Sequence, residues 1–193
     1  MDPSLVRVSR FLSLVLRHDP GRVGLTLGAD GWVGVDALLA ASRQAGVALD
    51  RATLGRVVAE NDKQRFALSA DGARIRASQG HSVPVDLGLD PRVPPEVLYH
   101  GTAFRSVPSI LEQGIHAGSR VHVHLSADEQ AAEAVGRRHG RPAVLRVMSG
   151  RMSRARHVFY RSANGVWLTE TVPASYIQGP WRASNDAVAG SQV

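Results

Sequence analysis

The chain has 193 residues, 44% of them hydrophobic, enough for one large core or two small ones. Lysine and arginine total 23 against 17 acidic residues, so the net charge of +6 points to a polyanionic partner: nucleic acid, a phosphorylated ligand or an acidic membrane. The absence of cysteine excludes disulfides, thiolate metal sites and a cysteine nucleophile, and no apolar run reaches the roughly 18 residues of a membrane span.

Leu5, Val8, Leu12, Val15 and Leu16 recur at helical spacing, with Ser4 placed to cap the start and Asp19-Pro20-Gly21 to stop it. At about 100° per residue, Arg10 and Arg17 fall on one line of this helix, a solvated face or a phosphate-binding edge. Arg17-His18 ends it, where the helix dipole favours a cation whatever its function. Gly31-Trp32-Val33 is extended, Asp36 to Gln44 forms a second helix with Leu38 and Leu39 inward, and Asp50 caps a third carrying Leu54, Val57 and Val58. A hairpin follows: Phe66 and Leu68 alternate on one arm, Asp71-Gly72 turns, and Ile75 points inward from the other. Alternation puts Arg65 opposite Phe66, and Arg74 and Arg76 opposite Ile75. These arginines either keep the hairpin soluble or meet an anion. Three helices and a hairpin is the order of a winged helix, a small basic module that commonly holds nucleic acid.

Pro84, Pro91, Pro94 and Pro95 cannot sit inside a helix or a central strand, which makes 86–95 a linker between a lobe at 1–85 and a second at 96–181. The second lobe reads as strands at 97–102, 121–126, 143–148, 158–160 and 166–169, with helices at 107–113 and 127–139. This is an α+β pattern with neither G-x-G-x-x-G nor a P-loop. The strand at 121–126 puts His122 and His124 on one face, but two imidazoles without a third ligand do not make a metal site, and none is expected. Residues 182–193 read as a disordered tail. The N-terminus lacks the features of a secretory signal, and a cytoplasmic location is expected.

Seven stretches, LVLRHDPGRVGLTLGADGWV, NDKQRF, IRASQGHSVPVDL, LYHGT, RVHVHLS, VGRRHGRP and NGVWLTETVP, together resemble the RNA 2′-phosphotransferase family, in its order from about Leu5 to Trp181. The resemblance implies an N-terminal winged helix for RNA and a C-terminal NAD-binding lobe of the ADP-ribosyltransferase type. It implies transfer of an internal RNA 2′-phosphate to NAD through an RNA-2′-phospho-ADP-ribose intermediate, yielding RNA 2′-OH, nicotinamide and ADP-ribose 1″,2″-cyclic phosphate. NAD is then a consumed co-substrate, RNA the partner, and no metal, membrane or second subunit is required. The family's four essential residues carry over as Arg17, His18, Arg65 and Arg120, the last chosen over Arg138. On the NAD side His100 and His124 match signature positions, with Gly101, Thr102, Ser126 and Asn164 as neighbours. The third signature position, often glutamate, is Val166, as suits an incoming phosphate dianion that a carboxylate would repel. Arg10, Arg74, Arg76, His81 and Arg138 are the candidate RNA or phosphate contacts, with Arg141 a further possibility, and Trp167 is read as core. Two rival functions stay open: an ADP-ribosyltransferase acting on terminal phosphates of RNA or DNA, and a winged-helix protein that senses NAD without turnover.

Overall fold

The computed structural model describes residues 2–61 and 63–181, and the expected tail at 182–193 lies outside them. The chain divides into two compact units. The first runs to Leu89 and takes in Ser119–Val121 and Ser162–Asn164; the second comprises Asp90–Gly118, His122–Arg161 and the residues from Gly165 on. Helix and sheet are mixed in the chain. Among the described residues no helix is long and apolar enough to cross a membrane.

In the first unit, helix α1 (Pro3–Arg17) buries Leu5, Val8, Leu12, Val15 and Leu16. Its cap is Asp2, not Ser4: Pro3 occupies the first turn with its φ preset, so the capping oxygen comes from the residue before it and accepts from Ser4 N at 2.7 Å. Strand β1 (Val33–Gly34) leads directly into α2 (Val35–Gln44), which buries Leu38. Helix α3 (Arg51–Ala59) is capped by Asp50, which accepts from Thr53 N at 2.7 Å. Strands β2 (Phe66–Leu68) and β3 (Arg74–Ala77) form the expected hairpin, and β1 adds to it in the antiparallel order β1-β3-β2. Gly72, at φ +68°, turns the hairpin where a side chain would be strained. Phe66 and Ile75 are buried against the helices, each stabilising the packing by about 2–3 kcal/mol. Residues 86–89, read as linker, are tied into this unit: Asp86 N donates to Ala29 O at 2.8 Å, and Leu87 O accepts from Arg76 Nη1 at 3.3 Å.

The second unit begins with β4 (Leu98–Ala103), then α4 (Val107–Gln113) and β5 (Ile115–His116). Next come β6 (Val123–Leu125), α5 (Glu129–Gly136) and β7 (Pro142–Val147). Helix α6 (Ser149–Arg154) precedes β8 (Tyr160–Arg161), β9 (Trp167–Thr169), β10 (Thr171–Val172) and β11 (Ile177–Trp181). The sheets are ordered β11-β7-β4 and β6-β9-β8, with a separate pair β5 and β10. Tyr99 and Ser126 exchange two backbone hydrogen bonds of 2.8 Å, which sets β4 beside the end of β6. The strand expected over 121–126 is shorter at its start, because the Val121 amide donates to His81 O at 3.1 Å within the first unit. Sequence reading passed over β5, α6, β10 and β11. Strand β11 carries Gly179-Pro180, and it is an edge strand with a register shift, where proline costs no ladder bond.

Candidate active site

The end of α1 is held by the segment after the hairpin. The last helical carbonyl, that of Arg17, would otherwise be an orphan acceptor; it takes the Ser82 amide at 2.9 Å and the Val83 amide at 3.3 Å. Gly80, at φ +88°, lies against the Arg17 side chain, and a Cβ there would sit 3.5 Å from Arg17 Nη1. His18 Nδ1 is 2.9 Å from Ser82 Oγ, and that hydroxyl lies 3.5 Å from Arg17 O. With the hydroxyl directed at the carbonyl, the imidazole carries its proton on Nδ1 and presents Nε2 as the acceptor.

The same interactions reach Arg65. Arg17 Nη2 donates to Arg65 O at 3.3 Å, and its guanidinium lies 5.9 Å from the centre of the Phe66 ring. Arg65 Nη1 donates to the Asn61 side-chain oxygen at 3.1 Å. Ser78 N donates to Arg65 O at 2.9 Å, so the hairpin ladder fixes that main chain too.

Arg17 has its pKa lowered to about 10, by burial first and then by the charges of Arg65 and Arg120. The His18 pKa is lowered by burial, then by Arg17 and Arg120. Among the described residues no carboxylate acts on either to raise it. Arg17 Nε is buried without a hydrogen-bond partner. Gathering like charges raises their energy until an anion sits among them, so the group formed by Arg17, His18, Arg65 and Arg120 is suited to a phosphate. These are the four residues named from the resemblance, Arg17, His18 and Arg65 coming from residues 1–89. Arg120 joins them because Ser119–Val121 belongs with the first unit.

In the second unit His100 lies on β4, paired with Leu145 of β7, and His124 on β6, paired with Leu168 of β9. His100 Nδ1 is 3.2 Å from the His124 carbonyl. A carbonyl only accepts, so this bond assigns the proton to Nδ1 and makes Nε2 the acceptor of the ring. Ser126 Oγ accepts from Asp128 N at 3.1 Å and shapes the start of α5. Gly101 is a packing residue: a Cβ on it would collide with the Ala132 carbonyl and lie 3.1 Å from Gly136 N. Gly136 faces it in turn, where a Cβ would come 2.7 Å from Thr102 O, so α5 rests directly on β4. Thr102 and Val166 are half-buried, and Trp167 is core at 6% exposure. The set His100, Thr102 and His124 can hold a nucleoside ribose by hydrogen bonds. Among the described residues no group of three or more metal-ligating side chains was found.

Other expected contacts are placed differently. Asn164 belongs with the first unit, where its Nδ2 donates to Lys63 O at 2.8 Å and its Oδ1 accepts from Ser162 Oγ at 2.7 Å. His81 is buried at 3% exposure, its Nε2 without a hydrogen-bond partner and facing Gly31. Arg74 and Arg76 lie over the Trp32 ring at 5.4 and 4.7 Å, and Arg76 Nη1 also donates to the Asp30 and Leu87 carbonyls. Arg10 is exposed on α1, and Arg138 is exposed in the 3₁₀ turn Arg137–His139 of the second unit. Arg141 stacks on Phe104, 4.8 Å from the ring centre. Sequence reading missed Asn61 and did not separate Ser82 from its neighbours; the available signal was a polar residue close to the basic side chains in NDKQRF and beside the histidine in QGHS.

Residues 3–171 match the family model described as RNA 2′-phosphotransferase, Tpt1/KptA family. A Pseudomonas aeruginosa protein described as "Probable RNA 2′-phosphotransferase" is 56% identical over 171 residues, covering 88% of this chain and 94% of its own. Proteins of the same description from Burkholderia lata and Rhodopirellula baltica are 54% and 52% identical. They cover 91% and 93% of this chain and 91% and 98% of their own.

Proposed function

Since the chain belongs to the Tpt1/KptA family of RNA 2′-phosphotransferases, we propose that it removes an internal 2′-phosphate from RNA by transferring it to NAD. In this reading an oxygen of the RNA 2′-phosphate displaces nicotinamide from the ribose anomeric carbon, and the vicinal 2″-hydroxyl then displaces the RNA 2′-oxygen from phosphorus. The products are nicotinamide, ADP-ribose 1″,2″-cyclic phosphate and RNA with a 2′-hydroxyl.

A phosphate monoester has its second pKa near 6, so the nucleophile is already largely a dianion at neutral pH. It needs orientation, and Arg17, Arg65 and Arg120 provide it through forked donors whose positions are set before binding. In the second displacement charge builds on the non-bridging phosphoryl oxygens, where the same guanidiniums stabilise it without rearranging. His18, neutral and held through Nδ1 by Ser82, takes the 2″-hydroxyl proton at Nε2 and returns it to the departing RNA oxygen. His100, Thr102 and His124 hold the nicotinamide-side ribose, in a lobe we read as ADP-ribosyltransferase-like. The three helices and hairpin of the first unit are read as a winged helix for the RNA, with Arg10, Arg74 and Arg138 as candidate backbone contacts.

The observation that carries this reading is the gathering of Arg65 and Arg120 around the buried Arg17, whose pKa burial and then those two charges lower. The test is incubation with NAD and an oligonucleotide bearing one internal 2′-phosphate. The cyclic phosphate and free 2′-hydroxyl are expected, with Arg65→Ala lowering the rate by about 10²- to 10³-fold. Stable ADP-ribosylated RNA, or no release of nicotinamide, would refute the proposal. His100→Ala should weaken NAD binding in calorimetry, and an unchanged affinity would remove His100 from the site.

A further inference from the structure

The segment Lys63–Arg65 is held by side chains that the chemistry does not use. Asn61 is 2% exposed, and its Oδ1 accepts both Arg65 Nη1 at 3.1 Å and Lys63 N at 3.2 Å. Its Nδ2 donates to Ser9 Oγ on α1 at 3.3 Å, which fixes which way the amide faces. From a hundred residues further along the chain, Asn164 Nδ2 donates to Lys63 O at 2.8 Å. Between them Gln64 adopts φ +40°, a left-handed conformation that a side-chain-bearing residue rarely takes unless its surroundings enforce it. Its amide donates to Asn61 O at 2.7 Å, and its carbonyl accepts from Ser78 Oγ at 2.8 Å.

We propose that Asn61 and Asn164 are positioning residues that lock the turn ahead of β2, so that Arg65 is fixed in orientation before the phosphate ester arrives. This rests on Arg65 being a phosphate ligand, as read above. An arginine side chain has several freely rotating bonds, and ordering it only on binding would subtract from affinity and from alignment in the displacement at phosphorus. Asn61 fixes one arm of the fork, and Asn164 holds the backbone that carries it.

The test is a pair of double-mutant cycles, Asn61→Ala and Asn164→Ala, each with and without Arg65→Ala. One readout is kcat/KM for 2′-phosphate removal, and the other is calorimetric affinity for inorganic phosphate, which needs no turnover. Each asparagine variant alone should lower kcat/KM about ten- to a hundredfold, with KM for NAD unchanged. In the Arg65→Ala background the same changes should cost less than about twofold, because the group they position is gone. Equal losses in both backgrounds would overturn the proposal and make the asparagines general stabilisers of the unit. Should Asn61→Ala fold poorly, the Asn164 cycle decides alone, since Asn164 is only half-buried. If the wild-type protein shows no turnover, the proposed function fails, and the phosphate-affinity cycle still judges the clamp by the same non-additivity.

Discussion

Lowering the pH should destabilise the protein through His81. The ring is 3% exposed, and its pKa is lowered from 6.5 to about 4, by burial first and then by the charges of Arg17, His18 and Arg76. The folded state therefore resists a proton that the unfolded chain accepts, so stability is complete above pH 6.5 and is lost as pH falls toward 4. The shift corresponds to about 3 kcal/mol in total, of which about 2 kcal/mol is lost between roughly pH 7.5 and 5. Asp2, Asp50, Asp71 and Glu96 have lowered pKa values and act only below this window. His18 and His122 shift in the same direction as His81, so the wild type must be compared with His81→Gln. Urea unfolding at both pH values gives the two differences in stability. The wild type should lose about 2 kcal/mol more than the variant. Equal losses would refute the account of a buried, neutral His81.

Gly101→Ala should destabilise the second unit by about 3 kcal/mol or more, because the new methyl meets the Ala132 backbone and α5 must lift from β4. Thermal unfolding reads this directly, and an unchanged Tm would show that the helix can move aside freely. Binding of a phosphate monoester should raise the His18 pKa, since a dianion among the arginines offsets the Arg17 and Arg120 charges that, after burial, now lower it. Titration of the imidazole by NMR with and without a 2′-phosphorylated dinucleotide checks the sign, and a fall would place the ligand elsewhere.

Local pattern was enough for the elements whose side chains repeat at a fixed period. The apolar stripe of α1, the Asp50 cap and the Phe66 to Ile75 hairpin were legible because the forces that form them act within a few residues. The cap of α1 was misread by two residues, since Ser4 and Asp2 are both good caps and only Pro3 decides between them. Strand β11 was missed because its tolerance of Gly179-Pro180 depends on lying at a sheet edge. His81 looked like a ligand in QGHS, and only packing reveals that its ring is buried.

From the order of residues alone came the family, the cationic character and the candidacy of Arg17, His18, Arg65, Arg120, His100 and His124, because side-chain chemistry is carried by residue type and spacing. Tertiary structure decided that Ser119–Val121, and Arg120 with it, belongs with the first unit, that Asn164 braces Lys63, and that Gly101 serves helix packing. These depend on contacts between residues far apart in the chain, such as the 101 positions from Lys63 to Asn164, or on the close approach of a helix to a strand. No local periodicity encodes such contacts, since they form only when the chain has folded back on itself.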